Sequence, residues 1–221
     1  MNYKAIADSM GPRVGATQEW VFSVLRNGIV SGKLIGGTQL KQDEISAALN
    51  VSHIPVREAL RRLEAQGLVT IHPNRGASVT KLSRDDVLDM MEVRSTLAVM
   101  QFKKGAPLLT DEDYETLDRI IAEQRETRDL FRCEELNYQF HGMFSQHAQN
   151  SFANLLTELV HANIDRYMRA GFYGSAETRG ESVREHEQIL SACKAGEYDR
   201  AAELLREHIL GTKAYIPDDL Q

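Results

Sequence analysis

The sequence predicts a mainly α protein in two parts, a small unit of three helices plus a β-hairpin followed by an all-α antiparallel helical bundle. Three observations carry this expectation. Between residues 43 and 81 the hydrophobic period changes from helical to alternating, with a tight break inside the helical stretch and a turn inside the extended one. Beyond Ser83 no convincing strand pattern occurs, and amphipathic helical segments follow one another. Charge divides at the same place: residues 1–82 hold ten Lys or Arg against six Asp or Glu, and residues 83–221 hold sixteen against twenty-six, within a total of −6. A basic unit joined to an acidic one suits a phosphate-binding domain attached to a domain with a different task.

Residues 1–15 contain Gly11, Pro12 and Gly15 without periodicity and read as a flexible N-terminal arm, so the small unit is taken as residues 16–82. Thr17 to about Ser31 reads as a first helix that offers Trp20, Val21, Val24, Leu25 and Val30 to a core, and Gly32–Gly37 as a loop. In Gln42–Leu49, Ile45, Ala48 and Leu49 fall at helical spacing before a break at Asn50-Val51. Ser52 is a good N-cap for the next helix, and Pro55 lies in its first turn, where the missing N–H costs nothing. That helix runs to about Gln66. Val56, Ala59, Leu60 and Leu63 make its apolar stripe, while His53, Ile54, Arg57 and Arg61 occupy the opposite face. Gly67 supplies a stop, and Leu68–His72 and Gly76–Lys81 read as strands around a Pro73-Asn74-Arg75-Gly76 turn.

Helix, tight turn, helix and hairpin is the order of a winged helix-turn-helix. Its second helix enters the major groove of double-stranded DNA, and its hairpin tip reaches backbone or minor groove. His53, Ile54 and Arg57 are accordingly the candidates for base contact. Ser52, Arg61, Arg75 and Gly76 are the candidates for phosphate or groove contact, with Arg62 beside them. The continuous stretch Val51–Val69, followed by Pro73-Asn74-Arg75-Gly76-Ala77, resembles the GntR family of bacterial transcription regulators. That family commonly carries Arg-Thr where this chain has His53-Ile54. The difference bears on which operator is read, since arginine is the usual bidentate reader of guanine.

Ser83 and Asp86 form a capping-box pattern where the second part, residues 83–221, begins. Helices are expected over about 84–104, 111–127, 128–149, 152–170, 178–195 and 199–214, with Thr110 and Asp113 as another capping box. Pro107, Asn150, a Gly171-Phe172-Tyr173-Gly174-Ser175 loop, Gly196 and Pro217 supply the breaks. Six such helices make a bundle.

His141, His186 and His208 lie on apolar stripes of three different helices. Imidazoles facing a bundle interior suit a divalent transition metal such as Zn, Ni, Co, Fe or Mn, and suit hydrogen-bonded core positions equally well. Asn137, one turn before His141, shares its face and offers an amide oxygen as a fourth ligand. The runs Asn-Tyr-Gln-Phe-His, Arg-Glu-His-Glu-Gln-Ile-Leu and Glu-His-Ile-Leu resemble the all-helical FCD effector domain of the FadR subfamily of GntR regulators. The resemblance implies metal ligands at His141, His186 and His208, with Asn137 standing where the family has an aspartate. It also implies a pocket for a small carboxylate effector lined by Arg94, whose guanidinium matches a carboxylate, with Tyr138, Arg166 and Tyr167 nearby. His147 and His161 read as packing or surface residues, and the acidic helix after Thr110 as a solvated face over Leu117, Ile120 and Ile121.

No run of about 18 apolar residues is present, so no membrane span is expected. Cys133 and Cys193 have no zinc spacing and imply no disulfide framework, and the first residues lack a secretion signal; both favour a reducing cytoplasm. The expected function is a ligand-responsive regulator, commonly a repressor in the family, that binds a palindromic operator as a homodimer, because one recognition helix spans too few base pairs. Two other classes are a metal-dependent hydrolase with a three-histidine site and a purely structural DNA-binding protein. Against the hydrolase, no carboxylate beside the histidine motifs has an obvious general-base role, Glu185 and Glu187 reading as directed elsewhere, so no catalytic residue is expected.

Overall fold

The structure, a computed structural model, describes residues 2–73, 75–168 and 176–216. The loop expected over Gly171–Ser175, the turn residue Asn74, the break at Pro217 and the side chain of Arg166 lie outside the described residues. The chain forms two compact units that divide between Ser83 and Arg84.

The first unit contains α1 (Tyr3–Ser9), α2 (Thr17–Val30), α3 (Gln42–Leu49) and α4 (His53–Ala65), with strands β1 (Gln39–Leu40), β2 (Val69–His72) and β3 (Gly76–Val79). The sheet is antiparallel in the order β1-β3-β2, with Thr70 opposite Ser78 and Gln39 opposite Ser78 on the other edge. Two-residue β1 carries too little pattern to be read from sequence, and it makes a third strand beside the expected hairpin.

The expectation of a flexible arm over residues 1–15 is corrected by α1. Asn2 caps this helix through a 2.9 Å bond from the Ala5 N–H to its side-chain oxygen, and Tyr3, Ile6 and Ala7 are buried. Gly28 leaves room for Ile6: a Cβ there would stand 2.9 Å from the Ile6 Cδ1 atom. Burial, helped by the Glu44 carboxylate, pushes the Tyr3 hydroxyl up to about 12. A helix of seven residues with one apolar turn shows no periodicity in sequence, which is why composition suggested a loose segment.

The tight turn between α3 and α4 comes from Asn50, whose φ of 51° and ψ of 53° place it in the left-handed region that asparagine tolerates. The apolar stripe Val56, Ala59, Leu60 and Leu63 then packs α4 onto α2. Arg62 is part of that packing. It pairs with Glu19 at 2.5 Å and lies over the Phe22 ring at 4.1 Å, so it belongs to the α2–α4 contact and is removed from the candidate DNA face.

The second unit is helical among its described residues: α5 (Arg84–Gly105), α6 (Asp111–Glu126), α7 (Leu130–His147), α8 (Ser151–Met168), α9 (Ala176–Lys194) and α10 (Tyr198–Gly211), with 3-10 turns at Ala106–Leu108 and Thr212–Tyr215. The Thr110–Asp113 capping box forms, with bonds of 3.3 and 2.8 Å. α5 packs against α7, α8 and α10, while α9 packs against α6 and α10. Phe102, Leu117, Phe140, Phe144, Ile189 and Leu205 fill the space between them.

Gly105, the last residue of α5, lets this helix approach the α7 backbone. A Cβ there would fall on the Phe144 carbonyl and 3.1 Å from the Ala148 nitrogen. Gly105→Ala is expected to destabilise the protein by about 3 kcal/mol, because backbone atoms cannot retreat as a flexible side chain would. A urea unfolding midpoint equal to that of the wild type would contradict this close approach.

Candidate DNA face and histidine centre

The exposed face of α4 gathers the residues expected to meet DNA. Ser52 occupies the N-cap position of α4, with φ −74° and ψ 168°, and its side chain makes no capping bond. His53, Ile54, Arg57 and Arg61 follow on one exposed side, with Ile54 65% accessible. An apolar side chain so placed is suited to a thymine methyl group and has no packing role of its own. His53 Nδ1 lies 3.5 Å from Asp43, and Arg57 and Arg61 lie 3.6 and 3.4 Å from Glu58. Such exposed pairs are held weakly and yield readily to phosphate. Arg75 is exposed beside the turn, where its N–H donates to the His72 carbonyl at 3.0 Å, and Gly76 starts β3 with φ 82°.

Inside the bundle, α7, α9 and α10 bring His141, His186 and His208 together. One ring nitrogen from each lies within 4.8 Å of the others. His186 Nε2 and His208 Nε2 are 3.2 Å apart, and His141 Nε2 is buried without a hydrogen-bond partner. The opposite ring nitrogens are held from outside: His186 Nδ1 lies 2.9 Å from the Gln124 Oε1 atom and His208 Nδ1 lies 2.7 Å from a Glu185 carboxylate oxygen.

Both of those oxygens accept, so each Nδ1 carries the proton and donates. In a neutral ring the Nε2 atom is then the one that carries the lone pair. The Nε2 atoms of His186 and His208 meet at 3.2 Å, where at most one of them can carry the proton between them, and the buried Nε2 atom of His141 has no hydrogen-bond partner. A cation at their meeting point would give all three nitrogens a partner. Burial, reinforced by His208, His186 and the Arg94 charge, pushes the His141 pKa well below its ordinary value; burial and His208 do the same to His186. Neutral imidazoles with outer hydrogen-bond partners are the donor set that zinc, nickel and related divalent ions take. Asn137 is buried one turn before His141.

A cavity of about 60 Å³ adjoins this centre, lined among others by Arg94, Gln101, Tyr138, His141, Thr157 and His161. Arg94 is buried on α5, and Tyr138 is 54% exposed and stands edge-on to the His161 ring at 5.9 Å. Gln101 donates to Asn154 and accepts from Thr157 at 3.2 Å, which fixes one wall. His161, read from sequence as packing or surface, is a lining residue, and Tyr167 is buried. His147 pairs with Asp113 at 3.1 Å, away from the centre.

Sequence reasoning missed Gln124 and misdirected Glu185. Gln124 continues the spacing Leu117, Ile120, Ile121, and a polar residue on that apolar line was the available signal. Glu185 is not directed elsewhere, since it holds His208, a contact between α9 and α10 that no spacing within one helix reveals. Glu187 is paired with Arg125.

A winged helix-turn-helix unit with an exposed cationic second helix, joined in sequence to a helical bundle with a buried histidine centre, defines a DNA-binding transcription regulator. Residues 17–79 match the family described as bacterial regulatory proteins, gntR family, and residues 89–211 match the FCD domain. The chain belongs to the GntR family, in the FCD-containing FadR subfamily. The HTH-type transcriptional repressor RspR of Escherichia coli K12 is 29% identical over 194 residues, covering 86% of this chain and 84% of the relative. The gluconate operon transcriptional repressor of Bacillus licheniformis is 23% identical over 201 residues, covering 88% and 82%. Escherichia coli McbR/YncC shares the fold, with a TM-score of 0.74 at 20% identity over 91% of this chain and 97% of that one. The chain is a regulator and not an enzyme; the hydrolase reading finds no support among these relatives. No described helix is long and apolar enough to cross a membrane.

Proposed function

We propose that this protein is a ligand-responsive repressor that binds a palindromic operator as a homodimer, with a divalent metal in the histidine centre and a small carboxylate as effector. The observation that carries the reading is the meeting of ring nitrogens from three histidines within 4.8 Å, with the buried His141 Nε2 left without a hydrogen-bond partner. His141, His186 and His208 would hold the metal, with Asn137 beside them. Bound there, an ion would supply positive charge that attracts a carboxylate. Arg94 supplies a second, fixed positive charge in the adjoining cavity, and Tyr138 and His161 shape its wall. Occupancy then shifts the population between dimers that fit the operator and dimers that do not.

Glu185 and Gln124 act as positioning residues, since each fixes a tautomer that points a lone pair inward. Glu185→Gln is expected to weaken metal affinity by about 10–100-fold, the usual cost of losing an outer partner. Competition against a chromogenic chelator measures it. Equal affinity in the variant would mean that His208 needs no such orientation and would remove Glu185 from the positioning role.

The homodimer reading rests on an exposed apolar stripe. Phe152, Leu155 and Leu159 on α8 recur at helical spacing with accessibilities of 69%, 60% and 36%, and Val93 and Met100 are exposed on the adjoining α5. A second copy of the same surface would cover it, as a two-fold operator requires. Leu155→Glu is expected to convert the dimer to a monomer in analytical ultracentrifugation. A dimer that survives this change would move the interface elsewhere.

A further inference from the structure

The bundle has a second concave feature, a groove of about 330 Å³ between the C-terminal end of α6 and the N-terminal half of α9. It is lined by Arg125, Arg128, Arg179 and Arg184 against two acids, Glu126 and Glu187. Arg125 is paired with Glu187. Arg128 and Arg184 have no ion pair among the described residues. The unit around them is acidic, so this clustering runs against local composition and creates a positive field in a concave wall. The volume lies at the lower end of small-molecule sites, which span roughly 300–1,000 Å³. Guanidinium groups match carboxylate and phosphate oxygens two at a time.

The groove also touches the histidine centre through one side chain. Gln124 lines it, and the Oε1 of the same residue accepts the His186 Nδ1–H at 2.9 Å. An anion drawn between the arginines at the end of α6 would bear on Gln124, and through it on the orientation of the His186 ring.

We propose that this groove is a second ligand site, distinct from the cavity beside His141, that takes a small organic polyanion and reports its presence to His186 through Gln124. The site requires an anion with at least two separated charges, whether phosphate or carboxylate, because Arg128, in the loop after α6, and Arg184, on α9, approach it from different segments and have no ion pair among the described residues. The reading does not depend on a metal in the histidine centre.

The test uses the full chain and two probes, fructose 1,6-bisphosphate for phosphate chemistry and tricarballylate for carboxylate chemistry, with acetate as a single-charge control. Calorimetry is expected to show saturable binding of one probe that depends on Arg128 and Arg184, and no such arginine-dependent binding of acetate, and the probe that binds names the chemistry. Arg128→Gln with Arg184→Gln should weaken that binding by about tenfold or more, whereas Arg94→Ala, in the other cavity, should leave it unchanged. The imidazole 15N resonances of His186 are expected to shift with the probe in the wild type and to stay still in Gln124→Ala. No saturable binding, or binding indifferent to the two arginines, overturns the site. Arginine-dependent binding that leaves the His186 resonances in place overturns the link.

Discussion

Replacing His186 with Ala is expected to abolish stoichiometric metal binding, lowering affinity by more than about 100-fold, because loss of an outer partner alone costs 10–100-fold. His186 stands between the other groups: its Nε2 faces His208, its Nδ1 is held by Gln124, and its ring stacks on Phe140 at 4.0 Å. Removing it deletes one donor and leaves Gln124 without its buried partner. Some stability is lost for that reason alone, so the informative readout is the difference between metal-loaded and metal-free melts in each protein. In the wild type added metal should raise the melting temperature. In the variant it should not. A variant that still retains one equivalent of metal through gel filtration would place the ion elsewhere and remove the histidine centre from the account.

Arg57→Ala is expected to weaken operator binding by about 2–6 kcal/mol, one contact of about 1–3 kcal/mol in each of two half-sites. Arg57 projects from the exposed side of α4, opposite the stripe that packs on α2, so the thermal melt should not change. Fluorescence anisotropy on specific and scrambled duplexes separates the alternatives. Loss confined to the specific duplex marks a base contact. Equal loss on both, with a shallower salt dependence, marks a phosphate contact. Unchanged affinity on both would exclude Arg57 from the interface.

The helix-turn-helix was legible because its signals are local. α3 and α4 are amphipathic, Asn50 and Gly67 are residues that tolerate the left-handed backbone ending each helix, and the hairpin alternates. α1 and β1 were not legible, since each is too short for a period to develop and each is stabilised by partners distant in sequence. Gly105 was invisible for a related reason: its importance lies in the α7 backbone about forty residues away. In the histidine centre, apolar stripes and the resemblance to FCD domains drew attention to His141, His186 and His208. What orients them was hidden. Gln124 and Glu185 sit on segments that read as solvated and charged, and their task appears only when α6 meets α9 and α9 meets α10. His161 and the arginines of the second groove escaped likewise, because a polar lining is assembled from several helices and belongs to none.

The measurement that bears most directly on a metal-assisted sensor is elemental analysis of freshly purified, untagged protein, followed by thermal melts with and without a chelator and with a panel of small carboxylic acids. The expected result is close to one divalent metal per chain, a lower melting temperature once it is chelated, and a further rise with one acid in the wild type that is absent in Arg94→Ala. Metal-free protein whose melt ignores added zinc, nickel, cobalt and manganese would contradict it, and would mean that a proton and not a metal bridges His186 and His208.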